Sequence, residues 1–143
     1  MEFRRPASAA RAVPPRRQPR VNILVVDHEP ANREAASATF IALGASVIAV
    51  DSADRALQIL RADPSIALIF IRVELPGMGG ILLAGLARRT RPSLSIALTS
   101  DQPAVVVPPL YRVIPMPWSE AMLAELMGHA EPAPMIQPRA FLQ

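Results

Sequence analysis

The residues able to do chemistry in this chain are carboxylates, hydroxyls and arginines, because it has no cysteine and only two histidines, His28 and His129. Without thiols there is no disulfide framework, thiolate metal centre or thiol nucleophile, and the histidine spacing offers no zinc ligand pair. What remains is concentrated at the ends of short apolar runs. Asp27 and His28 follow residues 21–26, Arg72 follows 67–71, Thr99 closes 95–99, and the pair Met116 and Pro117 comes shortly after 112–114. A hard cation takes oxygen ligands, so Asp27 beside an imidazole makes a poor nest for one.

The runs that place these residues are almost wholly apolar and lack the in-and-out alternation of a half-buried strand. Five parallel strands buried on both faces are expected over 21–26, 46–50, 67–71, 95–99 and 112–114. Helical spacing fills the intervals. Residues 31–43 begin just after Pro30 and stop before Gly44, and Ser52 caps a second helix with Ala53, Ala56, Leu57 and Leu60 on one face. A third helix, 80–89, carries Ile81, Leu82, Leu83, Leu86 and Ala87, and a last one, 119–128, carries Met122, Leu123, Leu126 and Met127. Such repeats with right-handed crossovers predict an α/β fold with a doubly wound five-stranded parallel sheet in the order 2-1-3-4-5. Between Thr99 and Arg112 the prolines Pro103, Pro108 and Pro109 leave no room for a normal helix, so the fourth helix is expected to be missing or shortened.

With 143 residues, 51% of them hydrophobic, the chain holds one core. All fifteen basic residues are arginine, which lifts the isoelectric point to about 10.9 although the net charge is only +3. Residues 1–20 hold six arginines against Glu2, so a basic arm is joined to a mildly acidic body. The division expected is a disordered Arg/Pro-rich arm over 1–20, a domain over 21–130 and a proline-containing tail over 131–143. There is no apolar run of membrane-spanning length and no secretory signal pattern, so a cytoplasmic location is expected.

Four blocks in this order carry a resemblance: 23–30 (ILVVDHEP), 72–80 (RVELPGMGG), 97–100 (ALTS) and 116–118 (MPW). Over residues 21 to about 129 the chain resembles the response-regulator receiver domain, the CheY-like fold of two-component and phosphorelay signalling. The resemblance implies a magnesium site on two adjacent acids after the first strand, here Asp27, retained, and His28, lost. It implies a phosphate-accepting Asp four residues before Pro76, where this chain has Arg72. Thr99 matches the hydroxyl that reports phosphorylation. Met116 stands where the family has a phosphoryl-contacting Lys, and Val113 where it has a switching aromatic.

Making an acyl phosphate requires a carboxylate nucleophile, a divalent cation and a second cation on the far side. Arg72 has no carboxylate and stays protonated, so it is no nucleophile, and its charge beside Asp27 repels a metal. Magnesium binding is therefore expected to be weak or absent, and no other cofactor is implied. Two arrangements stay open for Arg72: it takes the cation's place and pairs with Asp27, and with Glu74 as a further partner, or it reaches solvent while Asp27 caps a helix. As a substitute acceptor Glu74 stands two residues too late and is expected to point elsewhere.

The expected function is that of an atypical stand-alone receiver, not an enzyme, working by phosphorylation-independent contact with signalling proteins such as a histidine kinase, a phosphotransfer protein or another regulator, or with a second copy. In the family the face of the fourth helix, fifth strand and fifth helix serves partners. Here Val105, Val106, Val107, Leu110 and Tyr111 replace that helix, and either form a new interface or fold back over the sheet. Trp118 is expected to pack on the last helix or to anchor a partner. Two alternatives remain: a receiver using an unusual acceptor, and nucleic-acid or anionic-membrane binding through the arm.

Overall fold

The computed structural model describes residues 20–130, so the arm over 1–19 and the tail over 131–143 lie outside the described residues. Five strands run in parallel: β1 Asn22–Val26, β2 Ser46–Val50, β3 Ile66–Arg72, β4 Ser95–Ser100 and β5 Arg112–Pro115. Four helices cover them: α1 Pro30–Ala42, α2 Ala53–Ala62, α3 Gly80–Thr90 and α4 Glu120–Gly128. The sheet order is β2-β1-β3-β4-β5, as expected, and residues 101–111 cross from β4 to β5 without a helix.

Alternation along the central strands builds two cores. Leu24, Val26, Ile69, Ile71 and Leu98 face α2 and α3, whereas Ile23, Val25, Leu68, Phe70 and Ala97 face α1 and α4. Helix α2 buries the four expected residues, and its cap Ser52 accepts a hydrogen bond from the Arg55 amide at 3.2 Å. Ser119 caps α4 in the same way, through the Met122 amide at 3.1 Å.

Two expectations need correction. The strands over 46–50 and 112–114 are not buried on both faces: β2 and β5 are the edge strands, and Ile48, Ala49 and Arg112 are exposed. In α3 Leu83, Ala84 and Ala87 are buried and Ile81 and Leu86 pack partly buried against the same core, while Leu82, expected in that stripe, is 56% exposed.

Arg91, a residue the sequence did not single out, ties the bottom of the fold. Its guanidinium donates to the carbonyls of Ile66 at 2.9 Å, Leu60 at 2.6 Å and Asp63 at 3.0 Å, joining the end of α2 to the start of β3. Asp63 in turn accepts from the Ser65 hydroxyl and amide, which hold its carboxyl below the ordinary value together with the nearby Arg91 charge.

Gly80 sets how closely α3 approaches the end of β3. A Cβ there would collide with the Arg72 carbonyl oxygen and press on the Val73 backbone, neither of which can yield like a side-chain tip. Gly80→Ala is therefore expected to destabilise the domain by about 1–3 kcal/mol in chemical denaturation, with the loss concentrated at the β3 terminus. An unchanged midpoint would show that the helix can move aside freely.

Candidate functional site

The carboxyl ends of β1, β3 and β4 bring Asp27, Arg72, Thr99 and Ser100 to one edge of the sheet, and all four are buried. Arg72 and Thr99 are paired in register across β3 and β4. The chain then turns sharply after Arg72, which returns Glu74 to the guanidinium.

Arg72 does not reach solvent: its side chain is 7% exposed. Nε donates to Glu74 Oε1 at 2.8 Å, Nη2 lies 3.2 Å from Asp101 Oδ2, and Nη1 lies 3.6 Å from Asp27 Oδ1. The expected Asp27 partner is thus the longest of three contacts. Glu74, the further partner left open by the sequence, makes the shortest, because the turn after β3 brings its carboxylate back to the guanidinium. Its second oxygen accepts from Ser100 Oγ at 2.5 Å, and Ser100 Oγ accepts from the Gln102 amide at 2.9 Å. Asp101 and Ser100, which sequence reasoning missed, therefore join the ionic cluster to the first residues of the crossover. The available signal was an acid directly after the hydroxyl pair that closes β4.

Burial is the largest influence on the Arg72 guanidinium and pulls its pKa down. The Glu74 hydrogen bond and the charges of Asp27, Asp101 and Glu74 outweigh it, so the group is held above its ordinary value and stays charged. Three carboxylates face one guanidinium here, which is the pairing that a buried charge demands.

Asp27 Oδ1 accepts from the Glu29 amide at 2.9 Å, and the Asp27 carbonyl accepts from Arg33 Nη1 at 2.8 Å. Asp27 Oδ2, His28 Nδ1 and Arg72 Nη1 are buried with no hydrogen-bond partner among the described residues. That donor set does not fit magnesium, since one carboxylate oxygen is joined there by a nitrogen and a guanidinium. Among the described residues no group of three His, Asp or Glu side chains is arranged to hold a metal ion.

Thr99 occupies the opposite side of β4 from Ser100. Its hydroxyl donates to the Ile114 carbonyl at 2.7 Å and accepts from Trp118 Nε1 at 2.7 Å, so it has no free proton to offer the ionic cluster. Trp118 packs edge-on against Phe70, ring centres 5.5 Å apart, and Phe70 packs likewise on Phe40 of α1. The indole is thus pinned between β3 and β4 as well as lying beside α4, which the sequence reading had not specified. Met116 is half-buried, and its amide donates to the Ser100 carbonyl at 3.1 Å. It supplies no charge.

The crossover is packed in part and exposed in part. Val107 and Tyr111 pack against the core under α2 and α3, whereas Val106 is 85% exposed and Leu110 56% exposed; Val105 is half-buried. Among the described residues no helix is long and apolar enough to cross a membrane.

No family model matches the chain. The response regulator protein FleR of Pseudomonas aeruginosa is 40% identical over 83 residues, which is 58% of this chain and 17% of FleR. The chain thus spans only a small part of that relative. A CheY-like response-regulator receiver domain from Methylobacillus flagellatus superposes with a TM-score of 0.70 at 19% identity, covering 76% of this chain and 97% of that one. A response-regulator receiver protein from Sinorhizobium medicae gives 0.68 at 23% identity, covering 76% and 92%. At these identities the solved structures establish the fold.

Arg72→Met removes the cation that faces three carboxylates and is expected to cost about 3–5 kcal/mol, read by denaturant titration. A loss under about 1 kcal/mol would mean the cluster is solvated like a surface pair. Thr99→Val strands the indole N–H and takes the side-chain donor from the Ile114 carbonyl. The expected loss is about 1–3 kcal/mol with a change in the emission of the only tryptophan, whereas an unaltered spectrum would place Trp118 outside the influence of the hydroxyl.

Proposed function

We propose that the described residues form a response-regulator receiver domain of the CheY-like kind, and that this one passes its signal by protein contact, without accepting a phosphoryl group. The observation that carries the reading is Arg72, buried and ion-paired at the end of β3, where the receiver pattern calls for the accepting carboxylate. A guanidinium has no lone pair to attack phosphorus, and its positive charge occupies the place of the assisting cation. The absence of a Lys equivalent at Met116 agrees with it, as does a Thr99 hydroxyl already engaged on both sides.

On this reading the domain is a binding module with no catalysis of its own. Its partners are two-component signalling proteins: a kinase, a phosphotransfer protein, another regulator or a second copy. Residues at the crossover, Val106 and Leu110 first, together with the half-buried Trp118, are the contact candidates. The rival reading, phosphorylation on Glu74, is disfavoured because both oxygens of that carboxylate are held, one by Arg72 and one by Ser100.

Incubation of the full chain with acetyl phosphate and magnesium, followed by intact-mass measurement, is expected to show no added phosphoryl group. A stoichiometric gain that is lost on hydroxylamine treatment would identify an acyl phosphate and overturn the proposal, and peptide mapping would then locate the acceptor.

A further inference from the structure

The parallel sheet sorts charge by height. Helices run against the strands, so the last turns of α2 and α3 lie at the amino ends of the strands, together with the chain leading into β1 and the first residue of β5. That end carries Arg61, Arg88 and Arg89 in those last turns, Arg20 before β1 and Arg112 at the start of β5, all exposed. Among the described residues the carboxylates at this pole are Asp63, bonded to Ser65, and Glu125, whose oxygen lies 3.8 Å from Arg112 Nη2. Most other acids, among them Asp27, Asp51, Glu74 and Asp101, lie at the opposite pole.

Positive side chains in the last turn of a helix oppose the helix dipole, which accounts for one such residue per helix as a local stabiliser. It does not account for the coincidence of four elements at one pole, nor for the use of each charge. Arg91 shows what a structural arginine does here, spending both terminal nitrogens on three carbonyls. Arg20, Arg61, Arg88 and Arg89 instead make no ion pair or side-chain hydrogen bond among the described residues. The segment that leads into this pole carries Arg4, Arg5, Arg11, Arg16 and Arg17 in sequence, so the strongest run of positive charge in the chain is covalently attached at the basic end.

From this polarity we infer that the amino-end pole is a binding surface for the phosphate backbone of a double-helical nucleic acid, read without regard to base sequence. The guanidinium fork suits phosphate oxygens, and every basic residue in the chain is arginine. The pole offers no row of exposed aromatic rings on which single-stranded bases would stack. Among the described residues its largely exposed apolar side chains, Leu110 and Ile41 at the end of α1, come from two separate elements and are too few to insert into a bilayer, which argues for a duplex over a lipid surface. The acidic pole, which holds the Arg72 cluster, faces away, so such binding would leave the receiver site free.

The test is fluorescence anisotropy of a labelled mixed-sequence duplex of about 20 base pairs with the full chain, between about 50 and about 200 mM NaCl. Binding that weakens steeply with salt is expected. The surface variant R61E/R88E/R89E should lose roughly tenfold or more in affinity and lower the slope of log affinity against log salt by about three, with an unchanged melting transition. No binding at the lower salt would overturn the inference. So would a triple variant that binds like the parent, since the folded pole would then contribute nothing beyond the arm. Binding to phosphatidylglycerol vesicles and not to the duplex would also overturn it. Because none of these substitutions touches Arg72, the outcome is independent of the acetyl phosphate result.

Discussion

A guanidinium buried at the carboxyl edge of a parallel sheet is the constraint around which this structure is arranged. Arg72 is 7% exposed, and a charge at that depth is tolerable only if opposite charges and hydrogen bonds surround it. Glu74, Asp101 and Asp27 supply them from three different segments. The cost of leaving that cation unpaired therefore fixes the turn after β3, the first residue of the crossover and the end of β1 relative to one another. Apolar packing is non-directional, and at this edge of the sheet the cluster supplies direction.

Its influence reaches the crossover by short covalent steps. Ser100 holds Glu74 on one side of β4, Thr99 holds Trp118 on the other, and the two residues are adjacent in one strand. A strand alternates its side chains between faces, so neighbouring positions can serve two cores at once. The ionic cluster above and the Phe40, Phe70, Trp118 stack below are thereby joined through a single peptide unit. The crossover itself has no helix to stiffen it. Its geometry rests on the Gln102 amide at Ser100, the Asp101 contact to Arg72, and the packing of Val107 and Tyr111.

Much of the fold could be read along the chain because the signals are local. Apolar runs of strand length, Ser52 and Ser119 as caps, Pro30 at a helix start and the prolines of 101–111 each report their own backbone. The exposure of Ile48 was not readable in this way. The run Ser46 to Val50 is as apolar as the central strands, and only the order of the strands makes it an edge. The site was readable in half. Asp27, Arg72 and Thr99 follow from their place at strand ends, and Glu74 is legible as a further partner of Arg72. That Glu74 makes the shortest contact and Asp101 a third is not, since a count along the chain carries no information about where a turn points a side chain.

The sequence by itself determined the kinds of groups at the edge of the sheet: a guanidinium at the end of β3, an acid beside an imidazole after β1, and a charge balance with its arginines weighted to one end. Residue type is a covalent fact, and whether a side chain can attack, donate or coordinate follows from it before any folding. The tertiary structure alone decided who pairs with whom. It brought Glu74 and Asp101 to Arg72, gave the Thr99 hydroxyl to Trp118, and collected arginines from four elements at one pole. Those pairings depend on distances across strands and turns, which no local pattern encodes.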